Sequence, residues 1–128
     1  MKKLVFLLLV VMLLTACGQD TENDQGAVYM NITVEEAKQI MDTEEGYIIL
    51  DARTQEEYDE GHIPAAIVIS HEEITEKAEE MLTDKNQLIL VYCRSGRRSK
   101  IAAEALVELG YTNIKEFGGI IDWSYEVE

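Results

Sequence analysis

The apolar residues of this chain occur in short runs separated by polar segments. Continuous runs of apolar and β-branched residues, such as YIILDA at 47–52 and QLILVY at 87–92, predict strands that are covered on both faces. Shorter or weaker runs predict three more strands, of which the first is an edge strand. The predicted strands are 27–32, 47–52, 66–70, 87–92 and 113–117.

Helical patterns alternate with these strands. TVEE at 33–36 and TQEE at 54–57 are capping boxes, which predict helices that run to about Met41 and to just before Gly61. Apolar residues at helical spacing predict further helices over 72–82 and 99–109, the second stopped by Gly110, and a final turn around Trp123. Strands that alternate with helices predict an α/β fold with a central, mostly parallel sheet and helices on both faces.

The first residues have the pattern of an export signal. Two lysines precede an unbroken apolar run over 4–14, which is too short to span a bilayer as a stable helix. LTAC at 14–17 follows and resembles the lipobox of bacterial lipoproteins, in which the cysteine is lipidated and becomes the new N-terminus. Residues 18–26 contain no large apolar side chain and are typical of a flexible tether.

This pattern predicts three parts of the chain. We expect a cleaved signal peptide over 1–16, lipidated Cys17 with its tether over 17–26, and one folded domain over 27–128. The resemblance implies a domain that is lipid-anchored at the extracytoplasmic face of the cell membrane.

The composition narrows the range of partners. The chain of 128 residues carries 25 acidic and 11 basic residues, a net charge of −14. Such a surface argues against nucleic acid, because binding to phosphates requires clustered positive charge. Besides Cys17, the only cysteine is Cys93, which leaves an unpaired thiol in an exported domain.

Cys93 lies between the predicted strand 87–92 and the predicted helix 99–109. Open α/β sheets place their ligand sites at such a strand end. Loop N–H groups, the helix dipole and basic residues are expected to lower the pKa of the thiol and to hold an anion or a persulfide. The residues proposed for this loop are Arg94, Ser95, Gly96, Arg97, Arg98 and Ser99, with Lys100 adding to the positive charge.

Several short motifs surround this loop in a fixed order. They are LDAR at 50–53, EY and GHIP within 57–64, YCRSGRRS at 92–99, GYTNI at 110–114, and GG at 118–119 with Trp123. In this order they resemble elements of the rhodanese family. The chain departs from the family at Ala65, where glycine is usual, and over 68–70, both in a scaffold segment.

The resemblance implies a thiosulfate-type sulfurtransferase. Cys93 would take sulfane sulfur from a donor such as thiosulfate, carry it as a persulfide and pass it to a thiophilic acceptor, which includes the thiol of a partner protein. No cofactor is expected. No set of Cys, His and carboxylate residues has metal-ligand spacing, so no metal is expected either.

The remaining motif residues are interpreted as supports. We expect Asp51 to order the loop ends through hydrogen bonds and Arg53 to pair with a carboxylate or contact substrate. His62 is interpreted as a residue that fixes a turn, His71 as a surface residue at a helix start, and Trp123 as core packing.

Two alternatives remain open. A non-catalytic module of the same family, which binds a protein or senses a ligand, would share the fold. A cysteine-dependent phosphatase or arsenate reductase would need an arginine six positions after the cysteine, whereas position 99 is serine and the arginine stands at 98. The shorter loop suits a single added sulfur better than a tetrahedral oxyanion, and Ser99 is predicted to cap the helix.

Overall fold

The computed structural model describes residues 28–128. The predicted signal peptide, the lipidation site at Cys17 and the tether lie outside the described residues. Within 28–128, no helix combines the length and the hydropathy needed to cross a membrane.

Five strands and four α-helices alternate along the described chain, with two short 3₁₀ turns. The strands are β1 (Met30–Asn31), β2 (Ile48–Asp51), β3 (Ile67–Val68), β4 (Ile89–Cys93) and β5 (Ile114–Gly119). The helices are α1 (Val34–Thr43), α2 (Gln55–Glu60), α3 (Ile74–Met81) and α4 (Arg97–Glu108). The 3₁₀ turns are His71–Glu73 and Ile120–Asp122.

The strands form one sheet in the order β1-β5-β4-β2-β3, and every pairing is parallel. The predicted α/β fold is therefore confirmed. All five residues of β4 are buried, as the continuous apolar run at 87–92 predicts for a central strand covered on both faces. Because the strands are parallel, the carboxyl ends of β2, β4 and β5 lie side by side at the same end of the sheet.

Two apolar clusters pack on the two faces of the sheet. One contains Leu50, Val91 and Cys93 together with buried residues of α3 and α4. The other contains Ile49, Leu90 and Tyr92 of the alternate strand positions, together with buried residues of α1. Alternation along each strand thus assigns neighbouring residues to opposite faces, and it separates Cys93 from Tyr92.

The element types match the sequence patterns, and the differences lie at the boundaries. Both capping boxes form, with the hydroxyls of Thr33 and Thr54 accepting from the N–H groups of Glu36 and Glu57. The predicted helix over 72–82 is divided into the 3₁₀ turn and α3. The predicted strands over 27–32 and 66–70 each pair over two residues only, because they lie at the two edges of the sheet.

Candidate active site

Cys93 is the last residue of β4, and a three-residue loop joins it to α4. Gly96 ends this loop at φ +110°, a backbone conformation that residues with a side chain rarely adopt. This turn directs the Gly96 N–H toward the cysteine, and it donates a hydrogen bond of 2.9 Å to Cys93 Sγ. The sulfur therefore lies at the N-terminal end of α4, which carries the positive end of the helix dipole.

The surroundings of the Cys93 thiol act on its ionisation in opposite directions. Burial disfavours the thiolate, since Cys93 is only 1% exposed. Hydrogen bonding from Ser99 and from the N–H groups of Gly96 and Ser95 outweighs burial and holds the pKa of Cys93 below its ordinary value. The main cause of the lowered pKa is thus the set of hydrogen-bond donors, which includes the loop N–H groups that the sequence predicts.

The loop packs directly on the end of β5. Cys93 is in register with Gly119 after an irregularity in the β4–β5 pairing, and the Arg94 carbonyl accepts a hydrogen bond of 3.2 Å from Ile121 N–H. A Cβ atom on Gly119 would overlap the Arg94 carbonyl and lie 2.5 Å from Ser95 N. The close approach of two backbones therefore explains why glycine occupies position 119.

The basic residues of the loop have different surroundings. Arg98 donates hydrogen bonds of 2.6 and 2.9 Å to the two carboxylate oxygens of Glu57, at the start of α2. Arg94, Arg97 and Lys100 are exposed and form no ion pair within residues 28–128. These three residues, which we call the basic rim, leave positive charge uncompensated around the thiol.

The Glu57–Arg98 pair gives a pH-dependent prediction. Hydrogen bonding to Arg98 lowers the pKa of Glu57 from 4.5 to about 2. A depressed carboxyl pKa stabilises the fold above pH 4.5, and this contribution is lost as the pH falls through 2. We expect Glu57→Gln to cost roughly 1–3 kcal/mol at pH 7, because a charge-assisted pair is lost, and the difference from the parent protein to vanish toward pH 2.

Urea denaturation from pH 7 to pH 2 measures this difference. Glutamine can preserve the capping box of α2, so the substitution isolates the ion pair. Glu56→Gln removes an exposed charge from the same helical turn and serves as the control. A stability difference that stays constant over the whole range would contradict the assignment.

Asp51 and Arg53 form a buried network on the face of the sheet opposite Cys93. The guanidinium of Arg53 donates to both carboxylate oxygens of Asp51, at 2.7 to 3.1 Å, and to Gly61 O at 2.7 Å. Tyr92 OH donates to Asp51 Oδ2 at 2.8 Å and accepts from Ile63 N–H at 3.1 Å. The network joins the ends of β2 and β4 to the GHIP segment. Its member on β4, Tyr92, is the residue that immediately precedes Cys93.

This network also raises the pKa values of two of its own members, Arg53 and Tyr92. Burial disfavours the charged guanidinium, but the hydrogen bonds and charge of Asp51 hold the pKa of Arg53 above its ordinary value. Burial and the Asp51 charge likewise raise the pKa of Tyr92, so its hydroxyl stays protonated and acts as a donor. Asp51 and Arg53 thus support the loop from the opposite face of the sheet, through Tyr92, and do not contact the sulfur.

The two histidines and Trp123 lie away from the sulfur hydrogen bonds. The His62 ring stacks on Tyr58 with centroids 3.7 Å apart, and its backbone exchanges hydrogen bonds with Glu128. Trp123 is half-buried and packs on Phe117 with ring centroids 6.1 Å apart. His71 begins a 3₁₀ turn, as predicted, but it is half-buried rather than exposed, and its Nδ1 atom is buried with no hydrogen-bond partner among residues 28–128.

The prediction that Ser99 caps the last helix is wrong. Gly96 holds the N-cap position, and α4 begins at Arg97, two residues before the predicted start. Ser99 is instead the third helical residue, fully buried, and its hydroxyl faces Glu116 of β5 at 2.6 Å.

Sequence reasoning missed the parts that Glu57 and Glu116 play at the site. The sequence places Glu57 in a capping box and in the EY motif, but its ion pair with Arg98 depends on α4 passing nearby. For Glu116 the sequence did offer one indication. It lies two positions after Ile114, so both side chains are on the same face of β5, and both are buried. Within residues 28–128, no group of three or more His, Cys, Asp or Glu side chains is arranged to hold a metal ion.

Fold and site define a class: an α/β domain with a cysteine in a loop of backbone N–H groups at the carboxyl edge of a parallel sheet. Residues 33–126 match the family described as Rhodanese-like domain. The chain belongs to this family.

Relatives with described names agree with this assignment. The chain is 40% identical over 73 residues to the thiosulfate sulfurtransferase PspE of Escherichia coli (strain K12), a match that covers 57% of this chain and 70% of PspE. It is 33% identical over 112 residues to YrkF of Bacillus subtilis (strain 168), which covers 87% of this chain. The match spans 60% of the length of YrkF, so that protein is longer than the shared region.

Solved structures show the same fold. A rhodanese-related protein from Thermoplasma volcanium has a TM-score of 0.67 and 30% identity, and the match covers 78% of this chain and 98% of that chain. A rhodanese from E. coli, solved with anions, has a TM-score of 0.60 and 35% identity over 64% of this chain and 96% of that chain. The similarity of this chain to named sulfurtransferases supports an enzyme of the rhodanese family.

Proposed function

We propose that this protein is a sulfurtransferase that carries sulfane sulfur as a persulfide on Cys93. The observation that carries the proposal is the hydrogen bond of 2.9 Å from Gly96 N–H to Cys93 Sγ, in a loop whose N–H groups lower the pKa of the thiol. A thiolate is both the nucleophile that can accept sulfur and an anion that this loop stabilises. The persulfide keeps the same negative charge, one sulfur atom further out.

The transfer balances without a cofactor. With thiosulfate as donor, the Cys93 thiolate attacks the outer sulfur, a new S–S bond forms, and the old S–S bond breaks with release of sulfite. The electron pair of that bond leaves with sulfite, and the anionic charge on the enzyme passes to the terminal sulfur of the persulfide. A thiophilic acceptor then removes this sulfur and regenerates the thiolate, a two-step covalent cycle.

The distribution of positive charge supports an anionic donor. Outside the loop, four of the five basic residues within 28–128 are ion-paired, whereas the three residues of the basic rim are not. In an acidic protein, such a group attracts small anions to the thiol. The named thiosulfate sulfurtransferases among the relatives, and the anions in the E. coli rhodanese, point to the same donor class.

Mass spectrometry of the full chain tests this function. After incubation with thiosulfate and removal of excess donor, we expect Cys93 to gain the mass of one sulfur atom and to lose it on addition of a thiol acceptor. Cys93→Ser should gain nothing, while Cys17→Ser, which removes the other cysteine, should still be modified. Unmodified parent protein would contradict the proposal and favour a non-catalytic module.

We also propose that Cys17 carries lipid and that the domain acts at the extracytoplasmic face of the cell membrane. The support is the sequence over 1–17, with its two lysines, its apolar run and the LTAC motif. The anchor leaves a small diffusible donor, or the thiol of a neighbouring protein, as reactants. The intact mass of the same preparation, purified from membranes, tests this proposal, because an unmodified residue 17 would exclude it.

A further inference from the structure

Two isoleucines beside the basic rim are exposed and have no role in the sulfur transfer described above. Ile121 is 61% exposed, and its N–H donates to the Arg94 carbonyl at 3.2 Å, so this residue lies directly against the loop. Ile101 is 40% exposed and follows Arg97 by about one turn of α4, which makes the two side chains neighbours on the helix surface. Each isoleucine therefore adjoins one arginine of the basic rim.

The basic rim and these two isoleucines form one mixed surface around the Cys93 loop, which we call the rim surface. Lys100 also borders the loop, since its Nζ lies 3.7 Å from the point where a side chain on Gly96 would begin. A small anion contacts cations and N–H groups and gains nothing from exposed isoleucines. A protein can cover them, and arginines beside apolar side chains are typical of protein interfaces. The composition of the rim surface therefore fits a protein partner.

The charge of the rim surface defines the chemistry of that partner. Its three cations form no ion pair within residues 28–128, although the whole chain has 25 acidic and only 11 basic residues. The exposed acids Glu104, on the next turn of α4, and Asp122 mark where the acidic surface resumes. A surface complementary to these unpaired cations is acidic.

We propose that the rim surface docks an acidic protein whose cysteine accepts the sulfur carried by Cys93. The inference rests on the proposed function in taking the Cys93 persulfide as the sulfur source. The acceptor thiolate attacks the outer sulfur and a new S–S bond forms, while the bond to Cys93 breaks and returns its electron pair to the Cys93 thiolate. The acceptor leaves as a persulfide that carries the negative charge, so the step needs no oxidant or reductant.

The depth of Cys93 places a further requirement on the acceptor. Cys93 is 1% exposed, and a persulfide extends outward from it by one S–S bond, about 2 Å. The acceptor cysteine must therefore protrude from its own protein, on a loop or a chain end. Acidic and apolar residues on either side of that cysteine would then contact the rim surface.

Two synthetic peptides test the inference. One has a single cysteine flanked by glutamates and leucines, the other has glutamine in place of each glutamate, and dithiothreitol is the small-thiol reference. The full chain with Cys17→Ser, in detergent, is loaded with thiosulfate, and mass spectrometry follows sulfur transfer to each thiol. Per thiolate, we expect the acidic peptide to accept sulfur about tenfold faster than the neutral one at low salt, and this advantage to shrink at high salt.

Matched variants assign the effect to the rim surface, with the rate for the acidic peptide divided by that for dithiothreitol as the readout. Ile101→Ser combined with Ile121→Ser should lower this ratio about tenfold, whereas Met81→Ser, 46% exposed at the end of α3, should not. Arg97→Gln should lower it about threefold at low salt. Lys115→Gln, which also removes a cation without an ion pair within residues 28–128, should not. Equal effects of the variants and their controls would overturn the inference.

A binding measurement separates this inference from the proposed function. Labelled forms of both peptides, with serine in place of the cysteine, bind without sulfur chemistry, and fluorescence anisotropy gives their affinities. If the acidic serine peptide binds preferentially to a protein that thiosulfate does not modify, the proposed function fails and the docking role of the rim surface is supported. A protein that takes up sulfur but binds both serine peptides equally would overturn that docking role and leave the proposed function intact.

Discussion

Replacing Gly119 with alanine is expected to reduce sulfur uptake by Cys93 at least about tenfold, the equivalent of 1.4 kcal/mol, and to destabilise the fold by about 1–3 kcal/mol. Gly119 has an ordinary extended backbone, at φ −144° and ψ 159°, so an alanine there causes no torsional strain. The effect comes from the added Cβ, which would overlap the Arg94 carbonyl. Arg94 and its neighbours must move, and the hydrogen bond from Gly96 N–H to the sulfur moves with them.

Gly118 supplies the matched control. Its φ is +87°, and a Cβ atom there would have no neighbour within 4 Å. Gly118→Ala therefore adds backbone strain of about 1–2 kcal/mol without pushing on the loop. Rates of thiosulfate modification and urea denaturation, measured on both variants, separate the two causes. If Gly118→Ala slowed sulfur uptake as much as Gly119→Ala, the contact with Arg94 would not be the reason.

Most of the fold could be predicted because its signals are local. The continuous apolar run at 87–92 identified the central strand, and the capping boxes at Thr33 and Thr54 identified two helix starts. The last helix begins two residues before its predicted start at Ser99, because Gly96, in a left-handed conformation, is its N-cap. An N-cap residue lies just outside the helical backbone, whereas Ser99 is already the third residue of the helix and its hydroxyl bonds to Glu116.

The candidate site could be predicted only in part, since its remaining contacts join distant segments. The position of Cys93 after a buried strand follows from chain order alone. The partners of its loop do not: Glu57 meets Arg98 from 41 positions away, and Glu116 meets Ser99 from 17 positions away. The expected role of the arginines changes accordingly, because one is neutralised by Glu57 and the pKa of the thiol is lowered mainly by N–H and O–H donors.

Replacing Asp51 with alanine is expected to cost about 3–5 kcal/mol, a large part of the 5–15 kcal/mol typical of a whole domain. The Asp51 side chain is fully buried and that of Arg53 is 7% exposed, so alanine leaves a buried guanidinium without its counter-charge. The hydroxyl of Tyr92 loses its acceptor as well. Because Tyr92 precedes Cys93, we expect sulfur uptake to fall together with stability.

Two controls separate the buried charge from simpler effects, with urea denaturation as the measurement. Tyr92→Phe removes one hydroxyl from the network and keeps the ion pair, so it should cost only about 1–2 kcal/mol. Glu73→Ala breaks the Lys77–Glu73 pair, whose side chains are about half exposed, and should cost less than about 1 kcal/mol. If Asp51→Ala were no more costly than Glu73→Ala, water would have to reach Arg53. In that case the buried network would not be what holds together the ends of β2 and β4 next to Cys93.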